Sequence, residues 1–421
     1  MDRSSTGLVV VGASLAGLRA VEAARRAGYR GPIALIGDEE HAPYDRPPLS
    51  KQFLVDNGNP AALCAEEDLR ERLGVRLVLG HAAVGLDPDA HVVTLDDGRQ
   101  VPYDRAVIAT GARPRGLGGS GGLAGVHTLR TVEDALAIRD ALTPGTRVVV
   151  VGAGFIGAEI ASSAVSRGAT VTIVEAAATP LVRAVGELVG TELVRLHDMA
   201  GVRVVRGARI TQLLGAGRVT GVRLADGQVV RADVVVVGIG AVPATEWLSG
   251  SGVALDPADG GIVCDEFLRT SAADVYAAGD VACWPNAIMG RRMRLENWTG
   301  AAEQGSQAAI NALLPDRAAP FETVPYFWSD WYGSRVQFVG DALAERVEIV
   351  TGDVEHGQFV ALYSTGARLV GAATLNQPTK IMKLRRLIHR RAGLDEAVRL
   401  LQRPRTVPAP EPATEGSQPC A

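Results

Sequence analysis

Two segments of this 421-residue chain repeat one pattern, and the repeat predicts an α/β fold in which two Rossmann-like domains are followed by a small α+β domain. Residues 7–40 and 146–176 each contain an apolar strand, a glycine turn, an Ala-rich helix and a second apolar strand that ends at an acid. Continuous apolar strands of this kind are buried in parallel sheets. Downstream, residues 96–112 resemble residues 225–241, which extends the repeat.

Each repeat has a glycine turn with the spacing of a dinucleotide-binding site. In such a turn the first glycine permits a tight bend, the second lets the backbone approach a pyrophosphate, and the third packs the helix against the strand. The phosphate lies on the free N–H groups at the helix N-terminus. Two such turns, each between a strand and a helix, indicate two dinucleotide sites. The pattern is complete at Gly152, Gly154 and Gly157, and at Gly12, Ser14 and Gly17 a serine takes the second place.

An acid ends the second strand of each repeat, at Asp38 and at Glu175. A carboxylate in this place accepts hydrogen bonds from ribose hydroxyls. Glu175 would repel a 2′-phosphate, and residues 176–178 are alanines that offer no cation, so we expect NADH rather than NADPH at the second site. Arg183 follows closely enough to reach the adenosine or the pyrophosphate, although a solvated arginine explains it equally well.

A third acid, Asp280, ends the strand-like run VYAAG. At the end of a strand and the start of a helix, a carboxylate would bond a hydroxyl of a ribityl chain while the helix end faces a phosphate. As a helix cap it would need no ligand at all. The two roles can coexist, and the sequence alone favours neither.

After residue 325 the pattern changes to one typical of a small α+β domain. Several strand-like stretches are followed by a basic helix at residues 381–391. The last residues, 406–421, are rich in Pro, Ala and Glu, which predicts a disordered tail. The strand-like stretches are residues 335–339, 348–351, 359–363 and 368–373.

Composition argues against several classes of protein. The net charge of −4 argues against a nucleic-acid binder. The four cysteines lack the spacing of a redox pair or a cluster, and the seven histidines form no metal-spaced pair, so we predict no metal site. The N-terminus leaves no room for a signal peptide, and no apolar run reaches the roughly 18 residues of a membrane span. We therefore expect a cytoplasmic protein that does not contact membranes.

Further motifs narrow the assignment to a family. GASLAG and GAGFIGAE, with ATGARPR between them and VYAAGD afterwards, resemble the two-dinucleotide flavoproteins of glutathione-reductase type. PYDRPPLSK, FLRTS, ENWTGAAEQG and PYFWSD are similar to segments of the bacterial NADH-dependent ferredoxin reductases that serve haem-thiolate and Rieske oxygenases. The resemblance covers about residues 7–400. It departs at Ser14, which replaces a glycine, and at Asn297, where the family often has histidine.

The resemblance implies a division into domains. An FAD-binding domain would consist of residues 1–115 and 245–325, with an NAD-binding domain of residues 116–244 inserted between them. A C-terminal α+β domain, residues 326–405, would lie at the flavin face. The protein would be a monomer or a weak dimer.

The resemblance also implies which residues hold the two cofactors, FAD and NADH. FAD contacts would come from Gly12, Ser14, Ala16, Gly17, Asp38, Arg46, Lys51, Val84, Arg130, Asp280, Trp298 and Trp328. NAD contacts would come from Gly152, Gly154, Ile156, Gly157, Glu159, Glu175, Arg183 and Gly240.

The family's electron transfer implies catalytic roles for Lys51 and Glu159. NADH would pass a hydride to FAD, and the reduced flavin would give single electrons to an acidic [2Fe-2S] ferredoxin that supplies an oxygenase. Lys51 would stabilise the negative charge added to the flavin, and Glu159 would be the partner that a buried ammonium needs. Without the resemblance, a surface lysine and a surface acid explain both residues. Because no cysteine pair is present, electrons would leave the flavin directly.

Two basic clusters and one tryptophan are candidates for the surface that faces the ferredoxin. A basic patch would steer an acidic partner, although an ordinary solvated face explains either cluster. Trp328 would line the flavin edge, whereas its aromatic neighbours Tyr326, Phe327 and Trp331 are expected in the core. The clusters are Arg291, Arg292 and Arg294, and Lys383, Arg385, Arg386, Arg390 and Arg391.

Two other functions fit the same fold. One is a reductase that passes electrons to rubredoxin, a quinone, oxygen or a nitrite reductase. The other is an NADH-responsive signalling flavoprotein of apoptosis-inducing-factor type, which usually carries targeting and basic segments that this sequence lacks.

Overall fold

The computed structural model describes residues 6–56, 58–118 and 122–402. The stretch expected to form a disordered tail, residues 406–421, lies outside the described residues, as do residues 403–405 at the end of the expected C-terminal domain. The described chain has a mixed α/β fold that contains two five-stranded parallel sheets and one five-stranded antiparallel sheet.

The first part of the chain forms most of the first parallel sheet. Strands β1, β2 and β3 pair in parallel, and all four residues of β1 and of β2 are buried, as their apolar sequences predict. A separate antiparallel sheet, β4 to β6, follows. The elements are β1 (Leu8–Val11), α1 (Leu15–Arg26), β2 (Ile33–Ile36), α2 (Gln52–Val55), β3 (Val75–Val78), β4 (Ala83–Asp87), β5 (Val92–Leu95), β6 (Gln100–Pro102), β7 (Arg105–Ile108) and β8 (Ala112–Pro114).

The middle of the chain repeats this arrangement. Its parallel sheet has the strand order β12-β11-β10-β16-β9, and β8 pairs with β17 to join it to the first part. The elements are β9 (Val126–His127), α3 (Val132–Ala141), β10 (Arg147–Val151), α4 (Phe155–Ser166), β11 (Thr170–Val174), α5 (Val182–Met199), β12 (Arg203–Val205), β13 (Ile210–Ala216), β14 (Arg218–Leu224), β15 (Val229–Arg231), β16 (Val234–Val237) and β17 (Ala241–Pro243).

The chain then returns to complete the first sheet. The new strand β19 pairs in parallel with β7, which gives the order β19-β7-β1-β2-β3. The helix α6 packs closely on α1, because Gly305 has no side chain and lies against the backbone of Ala16. The elements are β18 (Ile262–Val263), β19 (Val275–Ala277), β20 (Ala282–Asn286), β21 (Arg291–Arg294) and α6 (Trp298–Leu313).

The C-terminal part is an antiparallel sheet with two helices. Its strand order is β22-β23-β26-β25-β24. The basic helix begins at Pro378, three residues before its expected start, because proline is favoured in the first turn, and it ends at His389. The elements are β22 (Tyr326–Trp331), β23 (Ser334–Gly340), β24 (Arg346–Asp353), β25 (Gln358–Thr365), β26 (Arg368–Leu375), α7 (Pro378–His389) and α8 (Leu394–Gln402).

The C-terminal sheet is joined to the middle of the chain at a break in α5. Gly186 has φ of 75° inside this helix, a conformation that favours glycine, so the regular helical hydrogen bonding is interrupted there. The buried hydroxyl of Tyr363, on β25, donates a hydrogen bond to the freed carbonyl of Val185. A side chain of the C-terminal sheet thus satisfies a polar group that the break in α5 exposes.

Within the part of the chain that the structure describes, no helix is both long enough and apolar enough to cross a bilayer.

Candidate functional site

The first glycine turn, between β1 and α1, is tightly packed. A side chain at Gly12, which has φ of +120°, would overlap the carbonyl of Ala109, and one at Gly17 would overlap the carbonyl of Gly12. The turn therefore requires both glycines. Ser14, in the second place of the pattern, is the residue before α1, and its hydroxyl accepts a hydrogen bond from Arg46 Nε at 3.2 Å.

Arg46 connects this turn to two other parts of the site. Its guanidinium lies 2.5 Å from a carboxylate oxygen of Glu39 and donates to the carbonyl of Arg130 at 2.7 Å. It also donates to the Tyr44 hydroxyl at 3.0 Å. Sequence reasoning missed Glu39 and Tyr44, whereas the carboxylate of Asp38 is exposed at the end of β2.

Asp280 faces Arg130 beside the same turn. Its carboxylate lies 3.6 Å from the Arg130 guanidinium, and 17% of its side chain remains accessible. Burial raises the pKa of Asp280, and the charge of Arg130 opposes that shift. Within the described ranges, no group donates a hydrogen bond to this carboxylate, so its oxygens are available to a ligand. The preceding Gly279 lies against Ala16 on α1.

Lys51 and Glu159 form a buried ion pair between the first and middle parts of the chain. Lys51 Nζ lies 2.9 Å from Glu159 Oε1, with 14% and 3% of the two side chains exposed. Lys51 also donates to the carbonyl of Pro47 at 3.1 Å. The two residues are therefore not independent surface charges. The hydroxyls of Ser50 and Ser329 bond the same Glu159 carboxylate, and sequence reasoning missed both serines.

The second glycine turn, between β10 and α4, has the same tight bend but leaves one position open. A side chain at Gly152 would overlap the carbonyl of Gly238, and one at Gly157 would overlap the carbonyl of Gly152. At Gly154, in contrast, an added Cβ would meet no atom of the described chain within 4 Å. The space over the N-terminus of α4 is therefore free to hold a ligand.

Glu175 is fixed at the edge of this turn by main-chain donors. One carboxylate oxygen accepts the N–H of Ala153 at 2.7 Å, and the other accepts the N–H of Ala177 at 2.7 Å. Sequence reasoning found no cation beside it. The main chain on both sides of Arg206 bonds to Glu175 and Ala177, and the Arg206 side chain is exposed.

Four other residues that the sequence places at the cofactor sites form no side-chain hydrogen bond or ion pair with the described residues of the two turns, the Lys51–Glu159 pair or Glu175. All four are exposed within the described part of the chain. They are Val84 on β4, Ile156 and Arg183 near the starts of α4 and α5, and Gly240 after β16.

Two tryptophans meet between α6 and the C-terminal sheet. The rings of Trp298 and Trp328 lie 6.4 Å apart, edge to face, and Trp328 stacks on Tyr326 at 5.9 Å. Trp298 Nε1 donates to Asp45 at 2.8 Å. The neighbouring Asn297, where the family often has histidine, caps α6 by accepting the N–H of Gly300.

The remaining candidates for a reactive or metal-binding site are the described cysteines and one group of a histidine and two aspartates. The described cysteines, Cys64, Cys264 and Cys283, are free thiols, and burial raises the pKa of Cys283 to about 11. One group not anticipated from the sequence brings His81 near Asp96 and Asp97, with possible ligand atoms within 4.8 Å of one another. Its carboxylates already accept hydrogen bonds from main-chain N–H groups and from an arginine.

Comparison with protein families decides the assignment. Residues 6–305 match the family described as pyridine nucleotide-disulphide oxidoreductase, and residues 326–402 match the family described as reductase C-terminal. The chain belongs to the pyridine nucleotide-disulphide oxidoreductases.

Several members of this family are similar over nearly the whole chain. The ferredoxin–NAD(+) reductase component of the p-cumate 2,3-dioxygenase system of Pseudomonas putida is 37% identical over 94% of this chain and 96% of its own. The corresponding component of the anthranilate 1,2-dioxygenase system of Burkholderia cepacia is 39% identical over 91% and 94%. The crystal structure of the covalent putidaredoxin reductase–putidaredoxin complex matches with a TM-score of 0.87 and 32% identity, over 92% of this chain and 94% of that one.

FAD and NADH are the cofactors of this oxidoreductase, and two observations show that the residues fit such groups. The open space at Gly154 lies over a helix N-terminus, where N–H groups can hold a pyrophosphate. The carboxylate of Asp280 lies beside the first turn without a hydrogen-bond donor from the described chain, and hydroxyls of a ligand would supply one.

Proposed function

We propose that this oxidoreductase is an NADH:ferredoxin reductase that carries electrons through FAD to an acidic [2Fe-2S] ferredoxin, and through it to a haem-thiolate or Rieske oxygenase. The observation that carries the proposal is the buried Lys51–Glu159 pair. The residues around it, 47–55, contain a charged side chain and no thiol, so the site has no internal disulfide through which electrons could pass. An external acceptor is therefore required, and the ferredoxin reductases named above have one.

The chain's own residues bind and orient the cofactors. Bound FAD would take up a hydride from NADH and release its electrons singly. The N–H groups at the starts of α1 and α4 hold the two pyrophosphates, and Asp280 accepts from a hydroxyl of the FAD chain. Glu175, already fixed by main-chain donors, accepts from a ribose of NADH and opposes a 2′-phosphate. Lys51 provides positive charge close to the flavin ring, and Glu159 holds it there.

The basic helix α7 is the better of the two candidate docking surfaces. Arg291 is paired with Asp341, and Arg292 donates to main-chain carbonyls inside the protein. On α7, Lys383 and Arg386 are exposed, and neither is paired with another described residue. An acidic ferredoxin would find unpaired positive charge there.

A groove lies beside α7, next to this surface. It runs between α1, α6 and α7, and Arg26, Arg386 and Met382 line it. In its wall, Arg385 lies 6.0 Å from the ring of Tyr326, which stacks on Trp328. A ferredoxin bound in this groove would lie beside the aromatic side chains that we propose to line the flavin.

We also propose the domain boundaries and cellular setting stated from the sequence. The FAD-binding domain comprises residues 1–115 and 245–325, the inserted NAD-binding domain residues 116–244, and the C-terminal domain residues 326–405. Pairing of β19 with β7 supports a two-segment first domain. The free described cysteines are compatible with a reducing cytoplasm. A monomer or weak dimer follows from the resemblance alone.

One stopped-flow experiment tests the function, with the flavin first reduced anaerobically and each acceptor, oxygen included, then mixed in separately. NADH should bleach the flavin quickly, and an acidic [2Fe-2S] ferredoxin should then reoxidise it faster than oxygen does. Faster reoxidation by rubredoxin, a quinone or oxygen would assign a different acceptor. Slow reduction that ends in a long-lived charge-transfer complex would favour an NADH-responsive signalling protein.

A further inference from the structure

The Glu159 carboxylate accepts hydrogen bonds from three residues in two different parts of the chain. Lys51 Nζ lies 2.9 Å from Oε1, and the Ser329 hydroxyl lies 2.5 Å from the same oxygen. The Ser50 hydroxyl bonds the other oxygen, Oε2. Glu159 belongs to α4, Ser50 to the turn before α2, and Ser329 to β22 of the C-terminal sheet. Each of these parts thus contributes to the position of one carboxylate.

The direction of the hydrogen bonds is fixed by a tryptophan. Trp331 Nε1 lies 2.6 Å from the Ser329 hydroxyl oxygen, and an indole N–H can only donate. Ser329 therefore accepts from Trp331 and has its own proton free to donate to Glu159. An ionised carboxylate only accepts, so the chain from Trp331 through Ser329 matches the charged form of Glu159.

The tryptophan itself is held rigidly. Trp331 is fully buried, its ring lies 5.9 Å from Phe155 at the start of α4, and it stacks on His197 of α5 at 5.5 Å. A side chain packed from two helices keeps one orientation, so the Ser329 hydroxyl that it bonds is also oriented. The hydroxyls of Ser50 and Ser329 bond the two different oxygens of Glu159, and Trp331 orients the second of these hydroxyls.

We propose that Ser329, oriented by Trp331, is a positioning residue that holds Glu159 and, through it, the Lys51 ammonium. The proposal rests on the role of the Lys51–Glu159 pair given above. Ser329 does not touch the reacting atoms. Its hydroxyl sets where the carboxylate lies, and the carboxylate sets where the ammonium lies. The C-terminal sheet would then act in the reaction with NADH as well as in contact with the ferredoxin.

The test removes and restores the hydroxyl at position 329. In the FAD-loaded full chain, Ser329→Ala should lower the limiting rate of flavin reduction by NADH by about tenfold to a hundredfold, the range for a lost hydrogen bond to a charged group. Ser329→Thr retains the donor and should react within about threefold of the wild type. Ser364→Ala is the matched control, because Ser364 is also buried in this sheet but does not bond Glu159.

A second measurement does not depend on turnover. The indole N–H resonance of Trp331, assigned by its absence in Trp331→Phe, should move upfield in ¹⁵N-labelled Ser329→Ala and keep its position in Ser329→Thr. The proposal is overturned if Ser329→Ala reacts as fast as the wild type, or if Ser329→Thr is as slow as Ser329→Ala. An unchanged indole resonance in Ser329→Ala would also overturn it.

A separate variant distinguishes this proposal from the role of the ion pair. If Glu159→Gln reacts with NADH at the wild-type rate, the role proposed for the Lys51–Glu159 pair is wrong, and so is the positioning role of Ser329. If Glu159→Gln is slow and Ser329→Ala is fast, only the positioning role is wrong. Neither result depends on the choice of ferredoxin, because only the reaction with NADH is measured.

Discussion

The Tyr363 hydroxyl of the C-terminal sheet donates a hydrogen bond to the main-chain carbonyl of Val185, where α5 is broken at Gly186. Tyr363 is fully buried, so no solvent replaces this bond if the hydroxyl is removed. The contact is one of the polar links between the C-terminal sheet and the helix that follows the second glycine turn and Glu175.

We therefore expect Tyr363→Phe to lower the free energy of unfolding by about 1–3 kcal/mol, because a buried carbonyl is left without its donor. Tyr103→Phe is the matched control. Tyr103 is equally buried, but its hydroxyl has no hydrogen-bond partner in the described chain, so its removal should leave stability unchanged or raise it. Urea unfolding of both variants measures the difference, and equal effects would contradict the assignment.

Replacing Lys51 by methionine should affect both stability and reactivity. Removing the ammonium leaves Glu159 buried without its ionic partner, which should reduce the free energy of unfolding by about 3 kcal/mol. The loss of positive charge near the flavin should slow its reduction by NADH by about a hundredfold. Urea unfolding and stopped-flow absorbance measure the two effects.

The double variant Lys51→Met/Glu159→Gln separates the two effects. A neutral amide in place of the carboxylate removes the buried charge, so stability should recover while the rate stays low. Recovery of the rate along with stability would show that Lys51 acts only as a structural partner of Glu159.

Gly154→Ala should leave folding unaffected but weaken NADH binding. Gly154 has φ of −75°, which alanine adopts readily, and the added methyl would meet no described protein atom. It would instead occupy the space proposed for the pyrophosphate and raise the dissociation constant for NADH by about tenfold or more. Gly116→Ala, at another open glycine, should change neither the melting temperature nor NADH binding. A normal NADH affinity in Gly154→Ala would exclude this pyrophosphate position.

Charge reversal on α7 should weaken the reaction with ferredoxin. The double variant Lys383→Glu/Arg386→Glu places negative charge on the proposed docking surface, so KM for an acidic ferredoxin should rise by about tenfold at low ionic strength, and by less in high salt. Reduction of the flavin by NADH should be unchanged. Arg76→Glu/Arg231→Glu, at exposed residues on β3 and β15, is the control that makes the same change in net charge. An equal effect in both proteins would rule out a specific surface on α7.

His197 should make the folded protein sensitive to acid. Burial lowers its pKa to about 4, whereas an unfolded histidine titrates near 6.5. Below pH 6.5 the unfolded chain takes up a proton that the folded chain does not bind until about pH 4, so stability falls as the pH decreases through this window. The loss contributed by His197 approaches about 3 kcal/mol.

The measurement is the difference in free energy of unfolding between the wild type and His197→Gln from pH 7.5 to 4.5. His127 is partly buried and also has a lowered pKa, so both proteins will lose some stability in acid. The wild type should lose more. Parallel curves would mean that His197 is protonated in the folded protein in spite of its burial.

The sequence predicted those features of the site that depend on residues close together in the chain. The glycine turns are visible because each depends on residues within six positions of one another, as in residues 12–17 and 152–157. The Lys51–Glu159 pair could be anticipated only through the family resemblance. Ser329 could not, because its bond to Glu159 depends on how a distant sheet packs against α4.

Two details of the site depend on side-chain orientation or on strand pairing, and sequence spacing gives neither. At the end of β2, Glu39 bonds Arg46 while the neighbouring Asp38 is exposed, and both are acids in the same short run. The main chain at Arg206 comes beside Glu175 because strand β12 runs next to β11, a relationship between residues far apart in the chain.

The pairing of β7 with β19 has a consequence for synthesis on the ribosome. Strand β7 emerges roughly 170 residues before its neighbour β19, a delay of roughly 10–30 seconds at ordinary elongation rates. Until then one edge of β7 has unpaired main-chain groups, which favour association with other strands. The strands of the second sheet, in contrast, all lie between residues 126 and 237 and need nothing made later. The nascent chain should therefore complete its second nucleotide-binding unit before its first.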